Sequence, residues 1–117
     1  MDYSLQTRRR YDKRLRQFGY DPKTLGWLKG KQGIRFSILT SIGDLKNSTV
    51  LDVGCGFGDL YGFLKYNKVN CKYLGLDLNH NLITCGKIQY PKAHFKVFDV
   101  EKDNITTKYD WIIISGL

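Results

Sequence analysis

Three glycines stand at alternate positions directly after the apolar run 50–53. They are Gly54, Gly56 and Gly58. The apolar run is typical of a buried strand, and glycine allows both a sharp turn and the close approach of a ligand to the backbone. A strand that ends at such glycines is expected to leave backbone N–H groups bare, and bare N–H groups bind phosphate-like or other polar ligands. The spacing therefore predicts a site for a nucleotide-like cofactor, with the acid Asp52 beside it.

Two further acids stand where predicted strands end. Asp77 closes the strand predicted over 72–77, 19 residues after Gly58, and Asp99 lies near the end of a strand predicted over 93–100. A carboxylate at the first of these places can accept both hydroxyls of a ribose, because its two oxygens match a vicinal diol. NAD-binding proteins place an acid similarly, so Asp77 alone does not select the cofactor. The structural alternatives are a helix cap for Asp77 and a solvated loop acid for Asp99.

The dinucleotide fingerprint G-x-G-x-x-G would need a third glycine where this chain has Asp59. The pattern present is acidic-x-Gly-x-Gly-x-Gly over 52–58, and it resembles motif I of the class I, Rossmann-like S-adenosylmethionine-dependent methyltransferases. The segments Phe-Asp-Val at 98–100 and Tyr-Asp-Trp-Ile-Ile-Ile-Ser-Gly at 109–116 resemble that family's motifs at the third and fourth strands. The resemblance covers residues 30–117 and is specific through this combination.

The resemblance implies S-adenosylmethionine as cofactor, S-adenosylhomocysteine as product, and a set of cofactor-binding residues. That set is Arg35, Asp52, Gly54, Cys55, Gly56, Gly58, Asp77, Leu78, Asp99, Val100 and Ser115. The glycine turn would contact the methionine portion, Asp52 would hold the turn in shape, and Asp99 would reach the adenine amino group. Arg35 would pair with the methionine carboxylate, or else be a surface arginine on a basic helix. Ser115 would border the sulfonium. The acceptor is expected to be a small molecule, with RNA or protein as weaker alternatives, and no general base is identified.

Composition sets the broad class. The 117 residues suit one domain with a real core, and 42% apolar residues with 14% aromatics exclude a disordered chain. We see no apolar run of membrane-span length and no secretory leader, so no membrane partner is expected. The three cysteines are odd in number and fit no metal-ligand spacing. They predict reduced thiols in a cytoplasmic protein, with Cys55 filling the glycine turn as a small residue.

The net charge of +8 is concentrated in the first third of the chain, where residues 1–35 carry ten Lys/Arg against three Asp. This excess is either a solvated face on leading helices or an electrostatic footprint for an anionic partner. It supports an alternative function, a non-catalytic nucleic-acid-binding module that uses the basic N-terminal helices. We therefore divide the chain into a basic helical segment, 1–30, and an S-adenosylmethionine-binding domain, 31–117.

The elements that must position these residues follow from the apolar periodicity. Helices are predicted over 4–18, with Gly19 as the stop, and over 31–42, with Ile34, Ile38 and Ile42 on one stripe. A third helix is predicted after the glycines, and a fourth over 79–88, where Asn79 can cap the N-terminus and Ile88 packs inward. Strands are predicted over 50–53, 72–77, 93–100 and 109–115. Together they predict a doubly wound, mostly parallel α/β sheet of the Rossmann-like methyltransferase type with leading N-terminal helices.

The chain stops shortly after the fourth predicted strand, whereas the family's sheet continues and its later loops help to form the acceptor pocket. The expectation is a fold truncated after the fourth strand, in which the cofactor half assembles and the acceptor site is incomplete. The fourth strand would then be a bare apolar edge, which favours self-association along that edge.

Overall fold

The computed structural model describes residues 3–25 and 31–114. In chain order its elements are helix α1 (Tyr3–Phe18), a 3-10 turn (Pro22–Leu25), helix α2 (Lys31–Thr40), strand β1 (Thr49–Val53), helix α3 (Asp59–Tyr66), strand β2 (Lys72–Asp77), helix α4 (His80–Gln89), strand β3 (His94–Val97) and strand β4 (Trp111–Ile114). Gly19 ends α1 with a φ of 63°, as its position predicts.

The four strands form one parallel sheet in the order β3-β2-β1-β4. The predicted α/β class and parallel sheet are confirmed. In β1 and β2 the register pairs Val53 with Leu76, so the two strands end side by side. This register sets the glycine loop that follows β1 against Asp77, the last residue of β2.

The sheet is apolar on both faces, as expected for parallel strands. On one face the core comprises Phe36, Leu45, Val50, Leu60, Leu64, Tyr73 and Ile113. On the other face it comprises Leu51, Val53, Leu76 and Phe98. The alternation of β1 therefore sends Asp52 to the first face, under α2 and α3, together with Val50.

The predicted stripe on α2 is wrong in orientation. Ile34, Ile38 and Ile42 are 56%, 64% and 61% exposed, and Phe36 is the buried residue of this helix. Phe36 packs on Phe63 of α3 with ring centroids 5.7 Å apart. At about 100° per residue, the isoleucines at 34 and 38 lie on the opposite side of the helix from Phe36.

Ile88 was also expected to pack inward but is 77% exposed. The buried side of α4 carries Leu82, Ile83 and Gly86, and Gly86 lies against the carbonyl group of Phe57. Ile88 is two residues beyond Gly86, which turns it away from the sheet.

Two strands are shorter than predicted. β3 stops at Val97, because the chain turns over residues 99–103. β4 begins at Trp111 and is an edge strand within the described part of the chain, with Ile112 and Ile114 54% and 50% exposed. The predicted bare apolar edge is thus present in this part of the molecule.

Candidate cofactor site

The glycine loop adopts a backbone conformation that only glycine takes up without strain. Gly54, Gly56 and Gly58 have φ values of 74°, 59° and 82°. A residue with a Cβ is strained in this left-handed region, so the alternate glycines are required by the path of the chain. Gly58 is also the N-terminal cap of α3, so the loop leads directly from β1 into that helix.

The expectation of bare N–H groups in the loop is wrong for four residues. The N–H groups of Gly54 and Cys55 both donate to the Leu76 carbonyl, at 2.8 and 2.9 Å. The Gly56 N–H donates to Asp77 Oδ2 at 2.8 Å, and the Gly58 N–H donates to the Cys55 carbonyl at 2.9 Å. The acceptors come from the end of β2 and from the loop itself, so the loop is tied to the neighbouring strand.

Asp77 stabilises this edge of the sheet through hydrogen bonds to both of its carboxylate oxygens. Oδ2 accepts from Gly56, and Oδ1 accepts the N–H of Asn79 at 2.8 Å. Burial raises the pKa of Asp77, and these backbone donors oppose the rise. A carboxylate offers about four lone-pair sites, so acceptor capacity remains for a further donor such as a ribose hydroxyl.

The capping role considered for Asp77 belongs to Asn79. The Asn79 side chain accepts from the N–H groups of Asn81 and Leu82, at 2.9 and 3.1 Å, and α4 begins immediately after it. The predicted N-terminal cap of this helix is confirmed.

Asp52 is buried on the α3 face of the sheet and is 1% exposed. Its Oδ2 accepts the phenolic hydrogen of Tyr73 at 2.6 Å, whereas its Oδ1 has no hydrogen-bond partner among the residues that the structure describes. Burial raises the pKa of Asp52 to about 7, against the opposing effect of Tyr73. The hydrogen bond of Asp52 joins β1 to β2, and no bond of this side chain to the loop is seen in the described residues.

Two loop residues have packing roles in the structure. Cys55 is buried, and burial raises the pKa of its thiol, which disfavours a thiolate nucleophile and suits the predicted filler. A Cβ on Gly58 would lie 2.4 Å from two ring atoms of Phe95, so that ring already fills the space above Gly58.

The third loop of the site follows β3. The Phe98 N–H donates to the Asp77 carbonyl at 2.9 Å, which places Asp99 at the same edge of the sheet as Asp77. Asp99 Oδ1 accepts the N–H of Glu101 at 2.9 Å, and the Asp99 N–H donates to Asp103 Oδ2 at 2.9 Å. These hydrogen bonds of Asp99 stabilise the turn over residues 99–103. The contact of Asp99 with adenine stays a prediction.

Of the other predicted residues, Leu78 is half-buried, Val100 is 54% exposed, and Arg35 is exposed on α2. Their cofactor contacts stay predictions. Ser115 lies outside the described residues.

Sequence reasoning missed the docking of α1 beside this site. The Asn79 Nδ2 group donates to the Arg8 carbonyl and to Asp12 Oδ1, at 3.2 and 3.0 Å. Asn81 Nδ2 donates to the same Asp12 oxygen at 2.9 Å. The one available signal was a lone acid within a basic helix, and it gave no indication of a partner about 70 residues away.

Over residues 3–25 and 31–114, we find no cluster of three His, Cys, Asp or Glu side chains that could hold a metal ion. Over the same residues, no helix has both the length and the apolar character needed to cross a bilayer.

A parallel sheet whose first strand runs into a glycine loop, with an acid at the end of the second, defines a Rossmann-like α/β fold. No family model matches the chain. Methyltransferase 235L of Invertebrate iridescent virus 6 is 34% identical to it over 67 residues, which are 57% of this chain and 25% of that protein.

Solved structures extend the likeness to the fold. A TehB-like S-adenosylmethionine-dependent methyltransferase from Corynebacterium glutamicum is 27% identical, with a TM-score of 0.62 over 96% of this chain and 56% of that one. Phosphoethanolamine N-methyltransferase 1 from Haemonchus contortus has a TM-score of 0.74 over 95% of this chain and 25% of that one, at 18% identity. Magnesium protoporphyrin IX methyltransferase from Synechocystis has a TM-score of 0.66 over 97% of this chain and 62% of that one, at 19% identity.

These likenesses confirm the predicted resemblance to the class I, Rossmann-like methyltransferases. The chain spans about a quarter of the length of the viral relative and about half of the Corynebacterium protein. None of these likenesses supports a non-catalytic nucleic-acid-binding module.

Proposed function

We propose that the chain binds S-adenosylmethionine at the carboxyl ends of β1, β2 and β3, as part of an enzyme that methylates a small molecule. The observation that carries this proposal is the position of Asp77, whose carboxylate is held against Gly56 of the glycine loop at 2.8 Å. The Synechocystis protein was solved with bound S-adenosylmethionine, and the Haemonchus protein was solved in complex with S-adenosylhomocysteine, which supports the choice of cofactor.

The residues at this edge fit such a cofactor. Asp77 retains acceptor capacity for ribose hydroxyls, and Gly54 and Gly56 place no Cβ in the path of a ligand. Because the loop N–H groups are already bonded, the loop would meet the methionine portion through its shape and its carbonyl groups. The proposed domain, 31–117, includes all of these residues, and the cytoplasmic location expected from the cysteines stays a prediction.

When bound, S-adenosylmethionine supplies a methyl group on a positively charged sulfur, which is a good leaving group, and S-adenosylhomocysteine is the product. The chain's own residues then have to bind, orient and exclude water rather than form covalent bonds. Asp77 fixes the ribose end and the glycine loop fixes the opposite end, so the two together would set the direction of the methyl group. The buried thiol of Cys55 has no part in this scheme.

Calorimetric titration of the chain with S-adenosylmethionine, S-adenosylhomocysteine and NAD tests the proposal. We expect binding of the first two, and a loss of about 10- to 100-fold in affinity in Asp77→Ala, since hydrogen bonds to a charged acceptor are lost. Asp77→Asn removes the charge and keeps the size, so it tests the contribution of the charge alone. Asp44→Asn, in the loop before β1, is the matched control and should bind as the parent does. Binding of NAD in their place, or of none of the three, would overturn the proposal.

A further inference from the structure

A cavity of about 300 Å³ lies between the turn after α1 and the helices α2 and α3. Its lining includes Tyr20, Gln32, Phe36, Asp59, Phe63 and Tyr90. We propose that this aromatic cavity binds a small organic ammonium ion, and that the amine formed from this ion is the acceptor of methylation. One N–H proton would pass to Asp59 Oδ2, the nitrogen lone pair would form the bond to the methyl carbon, and the carbon–sulfur bond would break with its electron pair left on sulfur. The second part rests on the function proposed above, whereas the first stands on the cavity alone.

One oxygen of Asp59 is saturated and the other is not. Oδ1 accepts the phenolic hydrogens of Tyr20 and Tyr90, at 2.5 and 2.7 Å. Oδ2 receives only a long contact from Gln32 Nε2 at 3.4 Å among the described residues. A carboxylate oxygen on the cavity wall therefore has capacity to face a cation, which it would stabilise by charge and by any N–H group that the cation carries.

The two phenols act as donors at any ordinary pH. Burial raises the pKa of Tyr90 to about 12, and burial together with the Asp59 carboxylate raises the pKa of Tyr20 further. Both hydroxyls therefore stay protonated and hold Asp59 in place. This fixed geometry keeps the carboxylate directed at the cavity without an additional ordering cost when a ligand binds.

The charged side chains that line the cavity in the described part of the chain are carboxylates. Asp59 and Asp21 both line the cavity, and no lysine or arginine lines it in the described part of the chain. This is notable in a protein with a net charge of +8. Two carboxylates in one cavity attract a cation and repel an anionic ligand.

Four aromatic side chains also line the cavity. Phe36 and Phe63 contact each other with centroids 5.7 Å apart, and both line the cavity beside Tyr20 and Tyr90. The faces of such rings carry negative potential and stabilise substituted ammonium groups, whose alkyl substituents also gain from apolar contact. A carboxylate combined with aromatic walls thus selects an organic cation over a hydrated metal ion or a neutral molecule.

The aromatic cavity also adjoins the cofactor loop. The Tyr20 ring packs on Phe57 with centroids 4.7 Å apart, and Phe57 stands between two glycines of the loop. Asp59 is the first residue of α3, directly after Gly58. An amine in this cavity would therefore lie next to the loop that is proposed to hold the methionine end of the cofactor.

Calorimetric titration of the full chain with choline tests the binding step. Choline is a quaternary ammonium ion that cannot be methylated again on nitrogen, so it reports binding without turnover. Its neutral isostere, 3,3-dimethyl-1-butanol, has carbon in place of nitrogen. We expect choline to bind at least about tenfold more tightly than the isostere, because only choline has the charge that Asp59 and the rings recognise. Equal affinities, or no binding of choline, would overturn the proposal.

Two variants locate the site. Asp59→Asn should abolish the preference for choline over its isostere. Gln32→Lys leaves Asp59 intact but adds a positive charge to the lining, and should weaken choline at least about tenfold while leaving the isostere unchanged. Far-ultraviolet circular dichroism identifies a variant that fails to fold, and Asp44→Asn is the control. A folded Gln32→Lys variant that binds choline normally would contradict this location.

The failures of the two proposals are distinguishable. Choline binding without S-adenosylmethionine binding would retain the ammonium site and overturn the methyltransferase function. S-adenosylmethionine binding without choline binding would retain the function and overturn the ammonium site.

Discussion

Tyr73 donates its phenolic hydrogen to Asp52 at 2.6 Å inside the core, where both side chains are buried. The second carboxylate oxygen, Oδ1, has no hydrogen-bond partner in the described residues. An incompletely bonded carboxylate is costly to keep charged away from water, which is why burial raises the pKa of Asp52 to about 7. In the folded protein Asp52 is therefore mainly neutral below that pH.

We expect the free energy of unfolding to fall as the pH rises from about 4 to about 7. The folded-state pKa of Asp52, about 7, exceeds its ordinary value of 3.8, so the folded state binds more protons across this interval. Stability is then lost with rising pH and levels off above the folded-state pKa. Urea denaturation followed by circular dichroism at a series of pH values measures the slope.

Asp52→Asn should flatten that slope, because the amide keeps an acceptor for Tyr73 and does not titrate. A smaller slope of the same sign should remain from Asp77, whose pKa burial also raises. An unchanged slope in the variant would show that Asp52 does not carry the effect.

Gly58→Ala is expected to destabilise the fold more than Gly19→Ala. Both glycines have positive φ, 82° and 63°, so alanine is strained by about 1–2 kcal/mol at either position. At Gly58 the new Cβ would also lie 2.4 Å from the Phe95 ring, whereas a Cβ at Gly19 would have no atom of the described residues within 4 Å. Overpacking adds about 1–3 kcal/mol. If urea denaturation shows equal losses in the free energy of unfolding for the two variants, the Phe95 contact does not constrain position 58.

The fold was predictable to the extent that it depends on local pattern. The apolar runs identified all four strands, and Asn79 identified the start of α4. The orientation of a helix, by contrast, depends on the element against which it packs. The isoleucines of α2 formed a plausible inward stripe, but Phe36 is the residue that meets Phe63 of α3. A single helix pattern cannot decide between two apolar sides.

The candidate cofactor site was partly predictable for the same reason. The glycine loop and Asp77 could be found because each lies at a strand end, a place that sequence marks. The bonding of the loop N–H groups could not be predicted, since three of the four donate to acceptors at the end of another strand. The Tyr20–Asp59–Tyr90 cluster was missed because its hydrogen-bonded pairs are 31 to 70 residues apart in sequence.

Disruption of the α1 contact should expose that helix to protease. Asp12 accepts from Asn79 and Asn81, and these bonds lower the pKa of Asp12, with the Asn81 bond as the largest cause. In Asn81→Ala we expect trypsin to cleave the arginine-rich α1 up to about fivefold faster, the effect of one exposed charge-assisted hydrogen bond. Asp44→Ala should cleave at the parent rate. A rate in Asn81→Ala equal to that of the parent would mean that α1 is held elsewhere.

The edge strand β4 leads to a prediction about self-association, which no observation yet tests. Ile112 and Ile114 share one face of β4 and are about half exposed, and β4 has β1 as its single neighbour in the described sheet. Unpaired backbone groups beside exposed apolar side chains form a template for a second copy. The sedimentation coefficient of the chain should therefore rise with concentration.

Ile114→Lys should remove this rise, because a lysine at a sheet edge opposes pairing by its charge and hydration. Ile88→Lys introduces the same charge at the exposed surface of α4, and should sediment as the parent does. If both variants lose the association, net charge rather than strand pairing drives it. If the parent is monomeric at every concentration, the β4 edge does not mediate pairing between copies of the chain.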